Sequence, residues 1–297
     1  MNMKGDAGMN SKRIVAVGEV VWDLFPDKRV LGGAPVNVAY QLSQLGVDVS
    51  VITRIGQDAL AEETLQHLVD LGLSLAGVQR DPELPTGQVH VSISEENEPS
   101  FDIVAPAAWD AIQYPLAANL LGNDPFSLVF GTLGQRDPRS REAIQQLRQQ
   151  AAARFYDVNL RPPFTTRELV LDSLAGADLV KMNGDELMQV GRWAEIDAVE
   201  KKMVAQQLLK KYNASVLAIT EGSSGSWLMV GEQCYEHPGF PVQVADTVGA
   251  GDAFFATLIE GYLRQRSWPE CLERANRRGS YVAGQHGATP AMPPLQD

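Results

Sequence analysis

Asp246-Thr247-Val248-Gly249-Ala250-Gly251-Asp252-Ala253-Phe254 is the stretch from which the rest of the chain is best read. Glycines at 249 and 251 let the backbone approach a ligand closely and adopt turns closed to other residues. Downstream, Phe254, Leu258 and Tyr262 recur at helical spacing, which predicts a helix over about Ala250 to Arg264. The turn therefore opens a helix, and free N–H groups with a dipole behind them make an anion site. Asp252 falls in the first turn, where a carboxylate beside an anion hole can accept a proton from a substrate hydroxyl. Taken alone, a G-x-G-D reads more readily as a Gly-rich turn with a helix-capping Asp. The surroundings have to decide.

Near the start, Ile14-Val15-Ala16-Val17 is a β-branched run closed by Gly18, which suits a fully buried strand. Val38, Leu42 and Leu45 mark a helix over Asn37 to Leu45. Val49 to Thr53 follows as a strand and Leu60 to Leu71 as a helix. Strand then helix, repeated, predicts a parallel sheet covered on both faces. The alternation lapses between about Gly87 and Val104. Val89-His90-Val91-Ser92-Ile93 and Phe101-Asp102-Ile103-Val104 flank the polar turn Glu95-Glu96-Asn97-Glu98-Pro99. Their apolar–polar alternation is that of a half-exposed hairpin, which would serve as a lid, a subunit contact or a surface decoration.

The α/β pattern then returns. Strands are predicted at Leu128 to Phe130, Ala153 to Asp157, Leu179 to Lys181, Val216 to Ile219 and Trp227 to Val230. Helices are predicted over Arg139 to Gln150, Val199 to Lys211 (Met203, Leu208 and Leu209 facing inward) and Pro269 to Gly284. No internal repeat or low-complexity linker divides the chain. One core domain over residues 11–297 is expected, with a small β appendage formed mainly by about 87–104 and part of 20–31.

The chain has 297 residues, 44% hydrophobic and 21% charged, the balance of a globular protein with a sizeable core. A net charge of −12 leaves it short of the Lys and Arg that a broad phosphate-contacting surface needs, so no nucleic-acid partner is expected. A single nucleotide, held by backbone N–H groups and Mg²⁺, is not excluded. Cys234 and Cys271 stand in no C-x-x-C spacing and read as free thiols of a reducing compartment. Met1 to Asn10 reads as a polar tail, Glu19 interrupts the apolar stretch after it, and no run of about 18 apolar residues follows. No membrane span is expected, and the chain reads as cytoplasmic. None of the four histidines stands in a metal or triad spacing.

The full string from Asp246 to Phe254 resembles the C-terminal signature of the ribokinase-like, or PfkB, carbohydrate kinases. Leu31-Gly32-Gly33-Ala34-Pro35-Val36-Asn37-Val38-Ala39 resembles the first signature of the same family. The resemblance runs from Ile14 to about Pro293. It implies a ribokinase-like three-layer α/β fold with a mainly parallel central sheet and a small β lid. It also implies transfer of the ATP γ-phosphate to a sugar hydroxyl, with Asp252 as base beside the anion hole of Gly249, Ala250 and Gly251.

Other segments extend the resemblance. Gly18-Glu19 with Trp22-Asp23 is similar to the loop in which an aspartate binds sugar hydroxyls, so Asp23, Gly33 and Asn37 are implied sugar ligands; singly, Asp23 reads as a turn residue and Asn37 as a helix cap. Asp157-Val158-Asn159-Leu160-Arg161 resembles the family's D-x-N-x-R segment, with Arg161 meeting a phosphate or substrate oxygen. Asn183-Gly184-Asp185-Glu186 resembles its N-x-x-E motif, in which Glu186 governs Mg²⁺ through water; Glu186 reads equally as a helix N-terminal charge. Thr220-Glu221-Gly222-Ser223-Ser224-Gly225 resembles the T-x-G-x-x-G nucleotide turn, implying ATP contacts at Thr220, Gly222 and Gly225 besides Asn183, Gly249 and Gly251. Ala283 to Ala288 resembles the last ATP-pocket loop; carbonyls there and near Asp246 hold a monovalent cation such as K⁺ in many members.

For the acceptor, a buried phosphate would need cationic partners, and no Lys or Arg lies between Asp81 and Tyr114. A neutral sugar is expected. Pro85-Thr86-Gly87, Pro99-Ser100-Phe101, Ala107-Ala108-Trp109-Asp110 and Val21 to Pro26 look most like bacterial fructokinases, with Phe101 the one lid aromatic toward the substrate. Ribokinase and 2-keto-3-deoxygluconate kinase are the alternatives within the family. A non-catalytic sugar or nucleotide sensor is the alternative outside it, since a fold does not settle function. A dehydrogenase fails for want of a G-x-G-x-x-G after the first strand. An apolar face exposed on the lid would favour a homodimer through it.

Overall fold

A computed structural model of the protein describes residues 13–93 and 99–293. The main sheet contains β1 (Arg13–Val17), β4 (Asp48–Ile55), β5 (Val78–Arg80), β8 (Ser127–Gly131), β9 (Ala153–Asp157), β10 (Leu179–Asn183), β11 (Val216–Thr220), β12 (Ser226–Val230) and β13 (Gln233–His237). Their order is β13-β12-β11-β10-β9-β8-β1-β4-β5. The strands from β11 to β5 in that order run parallel, and β12 and β13 add an antiparallel margin. Because successive side chains point to opposite faces, β1 sends Val15 and Val17 to one core and Ile14 and Ala16 to the other.

The helices α1 (Ala34–Gln44), α2 (Ala59–Asp70), α8 (Ala250–Leu263) and α9 (Trp268–Ala283) cover one face. On the other lie α3 (Tyr114–Leu121), α4 (Pro138–Gln150), α5 (Arg167–Leu174), α6 (Gly184–Trp193) and α7 (Lys201–Tyr212). This is the three-layer arrangement the sequence implied. Helix α1 begins earlier than the apolar spacing predicts: Pro35 lies in its first turn, where a missing N–H costs no helical hydrogen bond. In α7 the buried stripe is Val204, Ala205, Leu208 and Leu209. Met203 is therefore not an inward residue as expected. It sits one position off the stripe and is half exposed.

A second sheet, ordered β3-β2-β6-β7, consists of β2 (Val21–Leu24), β3 (Arg29–Gly32), β6 (Gly87–Ile93) and β7 (Pro99–Ile103). The turn expected at Glu95-Glu96-Asn97-Glu98 and the N-terminal tail lie outside the described residues. Register places Asp23 opposite Val89, Val89 opposite Ile103, and Val91 opposite Phe101. These side chains share one face, with Val21 two positions along β2.

Beneath that face Val21, Val89 and Val91 pack on Ala107, Trp109 and Leu133. Trp109 is fully buried. The Arg136 guanidinium lies 3.9 Å from its ring centroid and 4.7 Å from that of Phe164, while pairing with the Asp110 carboxylate at 2.7 Å. Removing the indole would leave a cavity and a cation without its apolar cover. Trp109→Ala should lower unfolding free energy by about 3–5 kcal/mol, read from chemical denaturation with both tryptophan fluorescence and circular dichroism.

Candidate active site

Helix α8 begins at an N-cap, Gly249, in the left-handed region at φ +78°. A Cβ there would fall 2.5 Å from the Ala288 Cα, so glycine alone lets the loop after α9 close onto this turn. Asp246 ties the two loops, accepting from the Val248 N–H at 3.0 Å and the Gly287 N–H at 3.2 Å. The Ala250 N–H donates loosely to the Thr247 carbonyl at 3.3 Å. Those of Gly251 and Asp252 lie in the first turn, where an α-helix offers no internal acceptor.

Asp252 does not cap its own helix. Its Oδ2 accepts from Asn37 Nδ2 at 2.8 Å, across 215 residues of sequence. Nor is Asn37 a cap: it lies inside α1, and Gly33 at φ +118° is the N-cap. A Cβ on Gly33 would stand 2.5 Å from the Glu19 carbonyl, so this glycine lets α1 start hard against the loop after β1. The Gly-Gly segment and the G-x-G-D turn thus meet through one side-chain bond.

Electrostatics around that bond are dominated by burial. Burial raises the Asp252 pKa above the ordinary carboxylate range, and the Lys181 ammonium, the Asn37 hydrogen bond and the Arg161 guanidinium oppose the rise. Burial also lifts Asp23 to about 6, again against Arg161. Asp157 is pushed to about 6 despite Lys181 beside it, the ammonium lying 3.1 and 3.3 Å from its two oxygens. Glu19 is pushed by burial to about 7, and its Oε2 is buried without a hydrogen-bond partner. Arg161 is exposed, its guanidinium donating to the Leu160 carbonyl at 3.0 Å.

A second group lies along the same edge of the sheet. Asn183 and Thr220 are register neighbours at the carboxyl ends of β10 and β11. Asn183 caps α6 and forms a capping box with Glu186. Glu186 accepts from the Asn183 N–H and the Leu160 N–H, each at 2.8 Å. Both readings of Glu186 therefore meet in one side chain: it is a helix N-terminal charge, and it still has lone pairs free. Among the described residues no cluster of three or more His, Cys, Asp or Glu could enclose a metal. A lone buried carboxylate suits a hydrated Mg²⁺, which keeps most of its waters, and does not suit a fully protein-ligated ion. Gly222 to Ser224 form a short 3-10 turn, and Gly225, at φ +87°, packs against Pro238 and Gly239.

Asp157, Asn183 and Thr220 thus stand at the carboxyl ends of neighbouring parallel strands, where ligands bind in open α/β sheets, and Lys181, in mid-strand on β10, is the register partner of Asp157. Asp252 and Asn37 lie together at the starts of their helices, and Asp23 is on the inner face of the small sheet. Phe101 shares that face but is 56% exposed at its edge.

Over residues 6–295 the sequence matches the model of the pfkB family carbohydrate kinases. The chain belongs to that family. A fructokinase of Vibrio alginolyticus is 27% identical over 300 residues, covering 95% of this chain and 96% of the relative. The aminoimidazole riboside kinase of Salmonella typhimurium is 26% identical over 307 residues, covering 95% and 92%. Among solved structures, an uncharacterized sugar kinase of Pyrococcus horikoshii in complex with ATP superposes with a TM-score of 0.81 at 25% identity, covering 93% of this chain and 94% of that one. A fructokinase of Xylella fastidiosa shares the fold at a TM-score of 0.85 and 23% identity, covering 95% of each chain. The protein is a sugar kinase.

Two residues of this pfkB kinase site had no reading of their own in the sequence. Lys181 appears there only as the end of a strand, and Glu19 only as an interruption of an apolar stretch and as a member of the Gly18-Glu19 segment, with no role of its own. Each carried a usable signal, since an ionisable residue within a buried run must find a partner or shift its pKa.

For Glu19 the sign is definite. Its folded pKa lies above the ordinary carboxylate value, so folding holds its proton. That stability is present in acid and is lost as pH rises from about 4.5 through about 7. Glu19→Gln should flatten the fall in Tm between pH 5 and pH 8, measured by scanning calorimetry at constant ionic strength; an unchanged slope would contradict the burial argument. Gly249→Ala should lower both Tm and phosphoryl transfer, because its methyl collides with Ala288.

Proposed function

We propose that this kinase phosphorylates a neutral sugar at a primary hydroxyl, with fructose converted to fructose 6-phosphate as the reaction. The observation that carries the reading is the 2.8 Å bond from Asn37 to Asp252, which sets a buried carboxylate beside the open N–H groups of the Gly249–Gly251 turn. In this reading Asp23, Gly33, Asn37 and Arg161 hold the sugar, and Phe101 borders it from the small sheet. Asn183, Thr220, Gly222, Gly225, Gly249 and Gly251 line the ATP side.

Asp252 takes the proton of the sugar hydroxyl, whose oxygen forms the new bond to the γ-phosphorus as the bond to the ADP oxygen breaks. The Gly251 and Asp252 N–H groups, with Ala250 beside them, stabilise the transferring phosphoryl group. Glu186 would hold a hydrated Mg²⁺, which would supply charge neutralisation on the phosphates. The loops joined by Asp246 and Gly287 offer carbonyls to a monovalent cation such as K⁺. The sheet β3-β2-β6-β7 acts as a lid that excludes water and limits ATP hydrolysis.

One observation favours a neutral acceptor, and a second favours fructose. No cation lies between Asp81 and Tyr114 to neutralise a phosphorylated acceptor. The curated relatives also include several proteins named fructokinase. A panel of fructose, ribose, 2-keto-3-deoxygluconate, adenosine and aminoimidazole riboside in an ADP-release assay tests the choice. Fructose should give the highest kcat/KM; a higher value for another member replaces it. Asp252→Asn keeps an acceptor oxygen for Asn37, so it should lower kcat by about 10²–10⁴-fold while calorimetric sugar binding stays within a few-fold. Near-normal turnover would remove Asp252 as the base.

A further inference from the structure

Gly251 is not in the left-handed region, so its backbone conformation does not call for glycine. The reason lies in what occupies its side-chain space. A Cβ at 251 would stand 3.0 Å from Lys181 Nζ and 3.4 Å from Cε. The lysine, rising from β10, presses its ammonium against the anion turn, and Asp157 on the neighbouring strand holds it there at 3.1 and 3.3 Å. A Cβ at 251 would require the ammonium to give by a few tenths of an ångström.

The charge count shows that this is more than a core ion pair. Lys181 is buried, and burial, which lowers an ammonium's pKa, is outweighed by Asp157, Asp252 and Glu186. Asp157 alone pairs with the ammonium, while the Asp252 and Glu186 carboxylates act on it through charge without touching it. An isolated buried pair contributes little net stability, so the charge it sets beside Asp252 is the part with a consequence for the site. Other groups around Asp252 do not replace Lys181. From α1 comes Asn37, a neutral donor, and no charged residue. Glu19, in the loop after β1, is a carboxyl group whose own pKa Asp252 helps to raise, and it offers no positive charge. Arg161, after β9, is exposed and screened by water. The Arg278 guanidinium of α9 is turned to Gln41 at 2.8 Å, and Asp246 is occupied by two backbone N–H groups. Glu186 of α6 adds another negative charge.

We propose that Lys181 is a positioning residue for phosphoryl transfer: its ammonium, lodged in the space left by Gly251 and anchored by Asp157, is the fixed positive charge that keeps the Asp252 carboxylate ionised beside the incoming phosphate. The inference rests on Asp252 being the base. Asp157 tempers the same effect, since its own negative charge partly cancels the ammonium. The two residues must then act on Asp252 with opposite sign, which a merely structural role would not produce.

The test is kcat against pH, from about pH 5 to 9, for wild type, Lys181→Met and Asp157→Asn, with sugar and ATP saturating and folding checked by circular dichroism. In Lys181→Met the acid limb should move to higher pH. At the pH where wild type runs at half its plateau, the variant should run roughly tenfold below its own plateau, the effect of an opposite charge lost at close range. In Asp157→Asn, which leaves the ammonium in place, the limb should move to lower pH. KM for the sugar should change less than kcat in both. Limbs that stay with wild type while kcat drops uniformly, or that move in the same direction, overturn the proposal. If Lys181→Met does not fold, Asp157→Asn decides alone: a limb moved to lower pH sustains the proposal and an unmoved limb overturns it. Asp252→Asn separates the two levels. If it keeps both turnover and the acid limb, the assignment of the base fails, whatever the Lys181 variant does.

Discussion

The hydrogen bond from Asn37 to Asp252 is the constraint on which the site depends. Each partner lies in the first turns of a helix, and the two helices come from opposite ends of the chain. For the side chains to meet, both helices must begin at the same edge of the sheet and approach without Cβ atoms in the way. Gly33 and Gly249 meet that requirement, one against the Glu19 carbonyl and the other against Ala288. The two glycines therefore fix where α1 and α8 start, and the starts fix what can be brought to the anion turn. Here the same local geometry that opens the helix also orients the carboxylate, because Asp252 is committed to Asn37 and not to capping its own backbone.

A site arranged this way concentrates negative charge. Asp23, Asp157, Asp252 and Glu19 all have pKa values raised chiefly by burial, and a polyphosphate adds more charge of the same sign. Such a pocket works only if some carboxylates are held ionised and others can keep a proton. Lys181 and Arg161 supply the positive charge from two sides, one buried and one exposed. Among the described residues Glu19 has neither an ion-pair partner nor a hydrogen-bond partner for its Oε2. Burial pushes it to about 7, so near neutral pH part of its population keeps the proton.

Much of this was legible in the sequence. β-branched runs closed by glycine located the parallel strands, since a strand buried on both faces has no polar residues to disguise it. The G-x-G-D string and the Gly-Gly segment located the site because backbone approach demands glycine in a way few other features do. The elements without a sequence reading are short or polar. β5 has three residues, α3 and α5 have eight each, and β13 is a half-exposed margin strand. Such segments draw their stability from neighbours and carry little periodicity. Asn37 and Asp252 were visible as motif members, but their bond was not, because nothing local records a contact across the whole chain. Met203 was misplaced for a simpler reason: an apolar residue adjacent to a helical stripe looks like part of it until packing selects the face.

Lys181 shows where such reading stops. Its neighbours Leu179, Val180 and Met182 are all fully buried, so the sequence around it describes a core strand with one charged interruption. Parallel register puts Asp157 directly beside it, and the turn of α8, far along the sequence, descends on it. Only when three segments are assembled does the second glycine of the motif acquire its cause. A glycine motif is usually explained by the ligand it admits. At position 251 the protein's own ammonium borders the side-chain space, 3.0 Å from where a Cβ would stand, so the glycine faces a charge beneath the anion turn as well as any phosphate above it.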